Sequence, residues 1–274
     1  MNQNTDRTKQ IEEQNKRIDE RLKIIKYRIA VFSGKGGVGK TTVAVNLSYA
    51  LIKKKKKVGL LDSDITGPNV PKMVGADTLP GVDENTKQIT PQVKNDLQII
   101  SIAPMVPSES PVIWRGPLRS GAISQFLSDV VWGELDYLLA DLPPGTGDEV
   151  LTIGQKMKPH MAIVVTTPQE VSLLDCRRAV NMARKMNIQK VGVVENMSGL
   201  ICPHCKKEIN VFDMGGGEKM AKQMNAEFLG RIPMEVETRA SCDEGKPVVL
   251  HAPDSKTAKA FAIIADNVVN VLEK

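Results

Sequence analysis

Hydrophobic residues along the chain fall into short apolar runs that are separated by segments of helix length. The runs are continuous and rich in β-branched residues, which is typical of strands buried on both faces. Helix-length segments between such runs predict βαβ crossovers, and therefore an α/β fold with a doubly wound, mostly parallel sheet and helices on both faces. The predicted strands are IAVFS (29–33), KVGLLD (57–62), LQIISIA (97–103), DYLLAD (136–141), MAIVVTT (161–167), KVGVVEN (190–196) and EFLGRIP (227–233).

Two segments depart from this pattern. Residues 1–26 are charged and lack Gly and Pro, so we expect an N-terminal helical extension before a domain of residues 27–274. The segment from Val74 to Asp96 is rich in Asp, Pro and Thr without periodicity, and we expect it to be an excursion from the core. The apolar residues of the extension that recur at helical spacing are Ile11, Ile18, Leu22 and Ile25.

Composition and charge narrow the class of protein. Of the 274 residues, 41% are hydrophobic and 25% are charged, which are globular averages and exclude a disordered or fibrous chain. The net charge of +5 is small, and we expect the lysine run 53–57 to be a solvated turn rather than a nucleic-acid site. Four cysteines are too few for a disulfide scaffold, and no apolar stretch approaches the roughly 18 residues of a membrane span. We expect a cytoplasmic protein with no membrane or nucleic-acid partner.

A glycine-rich segment stands between the first predicted strand and a helical pattern, and it matches G-x-x-x-x-G-K-[ST] in the context that motif requires. Backbone N–H groups of such a loop surround phosphate oxygens at a helix N-terminus. Lys40 is expected to bridge the β- and γ-phosphates, and the Thr41 hydroxyl to ligate Mg²⁺. The residues of the predicted phosphate loop are Gly34, Lys35, Gly36, Gly37, Val38, Gly39, Lys40, Thr41 and Thr42.

Carboxylates follow two of the predicted strands, where they would lie beside the phosphate loop. We assign Asp141 to the Mg²⁺ shell and Asp64 to positioning the attacking water, with Asp62 supporting it. The alternative for Asp62 is that it only caps a helix. The segments 62–69 and 141–147 are rich in Gly and Pro, and we expect them to be switch loops that respond to a γ-phosphate.

A Cys-x-x-Cys pair, Cys202 and Cys205, lies in a predicted loop after the sixth strand. Two thiolates chelate one metal ion or one cluster iron, but a closed site usually has four ligands. Cys176 and Cys242 are isolated, so a symmetric dimer in which each subunit supplies one pair is the economical solution. The residues leave three alternatives open, namely a [4Fe–4S] cluster, a Zn²⁺ ion, or a redox dithiol.

Together these features resemble the Mrp-type (ApbC-like) iron–sulfur cluster carrier ATPases, which belong to the deviant Walker A group of P-loop NTPases. The resemblance covers nearly all of residues 27–272. The motifs that carry it are GKGGVGKTT (34–42), LDSDITGPNVPKM (61–73), WRGP (114–117), DLPPGTGDEVLT (141–152), TTPQEVSLLD (166–175), ENMSG with CPHC (195–205), GGGEKMA (215–221), GRIP (230–233) and DEGKPVV (243–249).

The resemblance implies a homodimer that binds and hydrolyses ATP with Mg²⁺, and that passes a bridging [4Fe–4S] cluster to apo-proteins. We expect the hydrolysis to be slow, because no specialised catalytic base is evident in the sequence. It implies that Lys35 acts across the dimer, that Asn196 reads the adenine with Pro233 beside the base, and that Cys202 and Cys205 bind the cluster. Two other functions remain open. One is a partitioning or positioning ATPase, which shares Lys35 and the switch carboxylates, and the other is a zinc-bridged dimeric ATPase.

Overall fold

A central sheet organises the part of the chain that the computed structural model describes. This part is residues 2–274 without Asp77, 106–113, Thr146, Pro203, Lys206 and Asn210, with the backbone alone for residues 2–7, Ile201 and Glu208. Its strands in chain order are β1 (Ile25–Phe32), β2 (Val58–Asp62), β3 (Gly81–Val82), β4 (Ile89–Thr90), β5 (Gln92–Lys94), β6 (Leu97–Ile100), β7 (Leu135–Asp141), β8 (Met161–Thr166), β9 (Lys190–Glu195), β10 (Leu200–Ile201), β11 (Glu208–Ile209) and β12 (Glu227–Arg231).

The main sheet has the strand order β12-β9-β8-β1-β7-β2-β6-β5. Each neighbouring pair is parallel except β5 with β6, which is antiparallel. The seven apolar runs in the sequence correspond to the seven parallel strands, so the predicted doubly wound α/β fold is confirmed. The third run is shorter than predicted, because its strand ends at Ile100 and a turn of 3-10 helix follows at Ala103–Met105.

Helices cover both faces of this sheet. On one face α2, α3, α9 and α10 enclose a core around Leu47, Leu51 and Phe261, and on the other α1, α4, α5, α6 and α7 enclose a core around Leu127 and Val180. A π-helical turn, Ile153–Met157, follows α5. The helices are α1 (Asn2–Lys23), α2 (Lys40–Lys53), α3 (Val70–Val74), α4 (Gly116–Asp129), α5 (Asp148–Thr152), α6 (Glu170–Lys185), α7 (Gly216–Gln223), α8 (Val236–Asp243), α9 (Val248–His251) and α10 (Lys256–Leu272).

The expectation that residues 74–96 are an excursion from the core is wrong for part of that segment. β3 and β4 form a small antiparallel pair there, and β5 adds an edge strand to the main sheet. Asn95 and Asp96 connect β5 to β6 as a two-residue turn, and both have positive φ (47° and 65°). Such a turn matches the twist of a hairpin and favours Asn and Asp. The three-residue edge strand, with Val93 exposed, has no apolar run that would reveal it.

The N-terminal segment folds as a helix that packs against α4. Ile18 and Leu22 are buried one turn apart, whereas Ile11 is 48% exposed and Ile25 already belongs to β1. The first strand therefore begins four residues before the predicted run. The division into an extension of residues 1–26 and a domain of residues 27–274 stays a prediction.

The strand order brings the predicted site residues together where the parallel strands end, which we call the carboxyl edge of the sheet. β1, which precedes the glycine-rich segment, lies between β7 and β8, and Asp141 at the end of β7 is opposite both Val31 of β1 and Asp62 of β2. Ligands of such sheets bind beyond the carboxyl ends of the strands, where this edge lies. Among the described residues, none of the helices combines the length and apolar character needed to cross a membrane.

Candidate functional site

The predicted phosphate loop joins β1 to the start of α2. Gly37 and Gly39 have φ of 79° and 81°, in the left-handed region that favours glycine. At Gly39 a side chain is also excluded by space, because a Cβ atom would stand 2.2 Å from Nδ2 of Asn196. Val38, between the two glycines, is buried in the core and anchors the loop. The first backbone N–H groups of the 14-residue α2 therefore lie at the end of a fixed turn, which is the arrangement that binds phosphate.

Lys40, Thr41 and Asp141 meet at the base of this loop. Nζ of Lys40 lies 2.7 Å from Oδ1 of Asp141, and the Thr41 hydroxyl donates to Oδ2 of the same carboxylate at 2.7 Å. Lys40 is 7% exposed and Asp141 is fully buried. Burial raises the pKa of Asp141, and the Lys40 ammonium and the Thr41 hydroxyl oppose that rise. A hydroxyl and a carboxylate this close are the hard oxygen donors that Mg²⁺ prefers.

The other two carboxylates of the predicted site differ in exposure. Asp62 is completely buried, and it accepts hydrogen bonds from the backbone N–H of Val70 (3.2 Å) and the Ser101 hydroxyl (3.0 Å). Since Val70 begins α3, this geometry favours the alternative that Asp62 holds a helix start. Burial, with the nearby Asp141 carboxylate, raises the pKa of Asp62 to about 8. Asp64 is half-buried and accepts from Gly67 N–H at 3.1 Å, so it belongs to the surface of loop 62–69.

Lys35 and its neighbours form the outer side of the phosphate loop. The Lys35 side chain, Gly36 and Gly37 are exposed, and the Ser33 hydroxyl fixes the loop by donating to the Lys35 carbonyl at 2.8 Å. Gly34 lies against α6, since a Cβ atom there would stand 2.2 Å from the carbonyl oxygen of Asp175. The phosphate loop therefore packs against α6, and the exposed Lys35 side chain lies away from the core of its own chain.

A cavity of about 480 Å³ opens next to the phosphate loop. Asn196 and Pro233, the predicted adenine-site residues, both line it together with Gly39 and Thr42 of the loop. The Asn196 amide donates to the Val38 carbonyl at 2.9 Å, which ties the end of β9 to the phosphate loop. A larger cavity of about 750 Å³ lies near Tyr27 and His160, at the opposite ends of the strands from this chemistry.

Helix α8 supplies a wall of the smaller cavity that the sequence analysis missed. The residues of this helix that line it include Val236, Thr238, Arg239, Cys242 and Asp243. Cys242 and Thr42 line the same cavity, and burial raises the pKa of the Cys242 thiol. α8 has no fully buried residue, and among its residues only Asp243 belongs to a motif (DEGKPVV, 243–249), so the signal available was its place after Pro233 in the chain.

The Cys-x-x-Cys pair lies at the tip of a small antiparallel hairpin, β10 with β11. Leu200 pairs with Ile209, and the backbone N–H of Cys202 donates to the Lys207 carbonyl at 2.9 Å. Cys202 is half-buried and Cys205 is exposed. Pro203 of the motif is outside the described residues. Both thiols are thus carried on a turn beyond the sheet.

The hairpin is joined to the cavity wall at its base. The backbone N–H of Met234 donates to the Gly199 carbonyl at 2.8 Å, and Leu200 forms a bridge with Met234. Leu200 and Met234 both line the 480 Å³ cavity. Only Ile201 stands between Leu200 and Cys202 in the chain, so the cavity wall and the cysteine turn are one hydrogen-bonded unit.

Glu195, the last residue of β9, fixes both ends of the segment that contains the hairpin. Its buried carboxylate accepts from the Ser198 hydroxyl (2.5 Å) before the hairpin, and from the backbone N–H groups of Gly215 (3.0 Å) and Gly217 (2.5 Å) after it. Glycine at 217 allows this approach, because a Cβ atom there would stand 2.9 Å from Oε2 of Glu195. This role of Glu195 was not predicted, although Glu195 and GGG (215–217) both lie in motifs that carry the family resemblance.

The remaining cysteine, Cys176, is unsuited to ligand a metal. It is 1% exposed on the inner side of α6, and burial raises its pKa to about 12. Within the described part of one chain, no group of three or more His, Cys, Asp or Glu side chains is placed to hold a metal ion. Cys202 and Cys205 are therefore the thiols to consider for a metal or cluster site.

Comparison with known proteins gives consistent matches. The family model "ParA: NUBPL iron-transfer P-loop NTPase" matches residues 24–269. An iron–sulfur cluster carrier protein of Pyrococcus horikoshii is 50% identical over 94% of this chain and 90% of its own length. An iron–sulfur cluster carrier protein of Methanocaldococcus jannaschii is 49% identical over 98% of this chain and 92% of its own length.

Solved structures with the same fold include a nucleotide-binding protein and a cell division ATPase. A nucleotide-binding protein of Archaeoglobus fulgidus, solved in complex with ADP, is 38% identical with a TM-score of 0.75, over 85% of this chain and 91% of that one. The cell division ATPase MinD of Pyrococcus furiosus is 25% identical with a TM-score of 0.68, over 90% of this chain and all of that one (100%).

Proposed function

The chain belongs to the NUBPL-type iron-transfer P-loop NTPases, and from that premise we propose that it is a slow, Mg²⁺-dependent ATPase that carries a [4Fe–4S] cluster. In this proposal two copies of the chain hold one cluster between them in the cytoplasm and pass it to apo-proteins. The observation that carries the proposal is the joining of the cysteine hairpin to the wall of the nucleotide cavity through Leu200 and Met234.

The site fits a magnesium–nucleotide. The loop from Gly34 to Thr42 would bind the phosphates, and the 480 Å³ cavity would receive the base between Asn196 and Pro233. Thr41 and Asp141 supply adjacent oxygen donors for Mg²⁺, which when bound neutralises charge that develops on the phosphates. Lys40 would turn from Asp141 to the phosphates, and Asp64, on the surface of its loop, would orient the attacking water.

The cluster is cargo rather than a resident cofactor, and the hairpin suits a cargo. Each chain offers two thiols on one turn, with Cys205 exposed and Cys202 half-buried, and four thiolates complete a [4Fe–4S] cluster, so two chains are needed. A cluster held by a turn from each subunit is accessible to an acceptor. Because four bonds depend on the alignment of two subunits, a small rotation between them would weaken the site as a whole.

The surface around the phosphate loop supports a dimer in which Lys35 reaches the partner's nucleotide. Lys35 is exposed, and α6, on which Gly34 is seated, carries the exposed apolar side chains of Val171 (65%) and Leu174 (49%). Exposed apolar side chains next to a functional loop are typical of an interface. We place the homodimer contact on this face.

A positioning ATPase is the second candidate function, because MinD shares the fold. Such proteins need a tether to DNA or a membrane, and the lysine run 53–57 is the candidate for DNA. Three of these lysines are engaged within the chain, since Lys53 donates to the Val249 carbonyl, Lys54 pairs with Asp266 and Lys56 pairs with Glu273. This engagement with α9 and α10 favours the carrier, which uses the cysteine hairpin, over the positioning ATPase, which does not.

The proposal is tested by measuring iron, acid-labile sulfide and zinc per chain after strictly anaerobic reconstitution, together with the absorption spectrum and the native mass. A bridging cluster gives about two iron and two sulfide per chain in a dimer. The variant Cys202→Ala/Cys205→Ala is expected to lose the cluster, and the matched control Cys176→Ala, which removes a buried thiol, is expected to keep it.

Other outcomes discriminate among the alternatives. About half a zinc ion per chain without iron would replace the carrier with a zinc-bridged dimeric ATPase. A wild-type protein that binds neither metal but hydrolyses ATP would favour the positioning ATPase. Transfer is tested separately, by mixing the loaded protein with an apo-ferredoxin and following the appearance of the acceptor's own signal.

A further inference from the structure

The side chain of Arg119, on α4, lies between the two segments that follow β2 and β7. Its Nη1 is 2.7 Å from Oε1 of Glu149 in α5, and the same nitrogen donates to the hydroxyl of Thr66 at 3.2 Å. Thr66 belongs to loop 62–69, and Glu149 is in the helix directly after the second predicted switch loop. One guanidinium group therefore contacts the predicted switch loop 62–69 and α5, the helix that directly follows the predicted switch loop 141–147.

This contact differs from an ordinary surface ion pair. The Glu149 side chain is only 4% exposed, so its carboxylate depends on Arg119 for compensation of its charge. The start of α4 is also seated on α5, since a Cβ atom at Gly116 would stand 2.4 Å from Oδ2 of Asp148. This contact explains the glycine of the WRGP motif (114–117). Because Gly116 has no side chain, α4 can approach α5 closely enough for Arg119 to reach Glu149.

We propose that Arg119 is a positioning residue that couples loop 62–69 to α5, so that these two segments rearrange together when nucleotide binds and when it is hydrolysed. This rests on the ATPase part of the proposed function and is independent of the cluster. Loop 62–69 carries Asp64, and α5 follows the segment that begins at Asp141. A contact that holds the two together sets the distance between the water-positioning carboxylate and the magnesium site without touching either.

The chemistry of arginine suits this role. A guanidinium presents five N–H donors in a fixed plane, whereas a lysine presents one compact ammonium group on a flexible stem. Arg119 Nε is buried without a hydrogen-bond partner among the described residues, so the group keeps an unused donor in this arrangement. Both contacts come from Nη1, whose two N–H groups the guanidinium holds in one plane. The ammonium of a lysine would keep the charge beside Glu149 but would not fix these two N–H directions.

The test compares three variants. Thr66→Ala removes the contact with loop 62–69 at an exposed position and leaves the ion pair intact. Arg119→Lys keeps the positive charge but removes the planar guanidinium that directs the N–H groups of Nη1. The matched control is Arg17→Gln, which removes another arginine–carboxylate pair on α4, with Asp129 at the other end of that helix (3.7 Å).

Two measurements are made on each variant, the kcat and KM for ATP hydrolysis and the hydrogen exchange of both segments with and without Mg²⁺ and a slowly hydrolysed ATP analogue. In the wild type the analogue is expected to protect residues 62–69 and α5 together. In Thr66→Ala and Arg119→Lys, we expect protection of one segment without the other, and a kcat lower by about threefold to tenfold at unchanged KM. Arg17→Gln is expected to behave as wild type in both measurements.

The double variant Thr66→Ala/Arg119→Lys separates coupling from structural damage. If both residues act through one contact, the double variant is no slower than Arg119→Lys alone. The proposal is overturned if either single variant protects both segments and turns over at the wild-type rate, or if Arg17→Gln is impaired to the same degree. A wild-type protein without ATPase activity would refute the proposed function, while the exchange measurement would still decide the coupling.

Discussion

The Lys40 ammonium and the Asp141 carboxylate form a buried ion pair with 2.7 Å between Nζ and Oδ1. Breaking such a pair leaves one charge buried without compensation and costs about 3–5 kcal/mol of unfolding free energy. We therefore expect Lys40→Met to lose stability and nucleotide binding together. The double variant Lys40→Met/Asp141→Asn is expected to recover most of the stability but no ATPase activity. Denaturant unfolding and turnover assays measure the two effects, and equal stability of both variants would contradict the pairing.

The buried carboxylate of Asp62 predicts a pH dependence of stability. Its pKa is about 8 in the folded protein, against about 3.9 in an unfolded chain. Because the folded state holds this proton more tightly, the stability from Asp62 is full below about pH 4 and is lost as the pH rises towards about 8. Asp62→Asn removes the ionisation, so we expect a smaller fall in melting temperature between pH 5 and pH 8 than in wild type. The exposed Asp254→Asn serves as the control, and parallel pH profiles for Asp62→Asn and wild type would disprove the assignment.

Much of the fold could be predicted from the sequence, because it depends on local patterns. Continuous apolar runs gave the seven parallel strands, and the phosphate-loop motif needed only its place between a strand and a helix. β5 was missed since an edge strand three residues long buries too little to leave an apolar run. Its two-residue turn, Asn95 and Asp96, was the available signal.

Spacing and strand order brought the candidate site residues to neighbouring strand ends, but they do not reveal contacts between distant positions. Asp141 was assigned to the magnesium site from its place at a strand end, and that assignment stays a prediction. Arg119 and Thr66 are 53 positions apart in the chain, and the spacing of residues in the sequence gives no sign that they are in contact. α8 enters the cavity wall through the path of the chain after Pro233, which no motif describes. The role of Asp62 stays a prediction: a supporting role and a helix cap were both left open, because burial at a strand end cannot be told from exposure by sequence alone.

We expect the hydrogen bonds of Glu195 to hold the cysteine hairpin in place and so to slow the loss of iron from it. Glu195→Gln keeps the size of the side chain, but it replaces one acceptor oxygen with an N–H donor that opposes the backbone N–H of Gly215 or Gly217. We expect the loaded variant to lose iron to a chelator about tenfold faster than wild type, since losing one hydrogen bond to a charged group at the base of the hairpin costs roughly 1.5 kcal/mol, which is about a factor of ten.

The control for this change is the exposed Glu227→Gln, which is expected to lose iron at the wild-type rate. Equal iron loss from Glu195→Gln and wild type would show that the hairpin does not need this carboxylate. A melting temperature measured on the iron-free proteins separates a local effect on the hairpin from general destabilisation. Nucleotide affinity is measured as well, because Asn196 is the next residue in the chain.

Chemical labelling of Cys242 tests directly where the base binds. In the Cys202→Ala/Cys205→Ala protein the remaining thiols are Cys176, which is buried, and Cys242, which lines the 480 Å³ cavity beside Thr42. Burial raises the pKa of Cys242, so its alkylation by a maleimide is expected to be slow at neutral pH and to speed up as the pH rises. If the base and ribose occupy this cavity, saturating ADP slows the labelling, and the labelled protein no longer binds nucleotide. Inorganic phosphate, which would occupy only the loop, is expected to leave the labelling rate unchanged. A rate that ADP does not alter would place the base elsewhere and would separate the cysteine hairpin from the nucleotide.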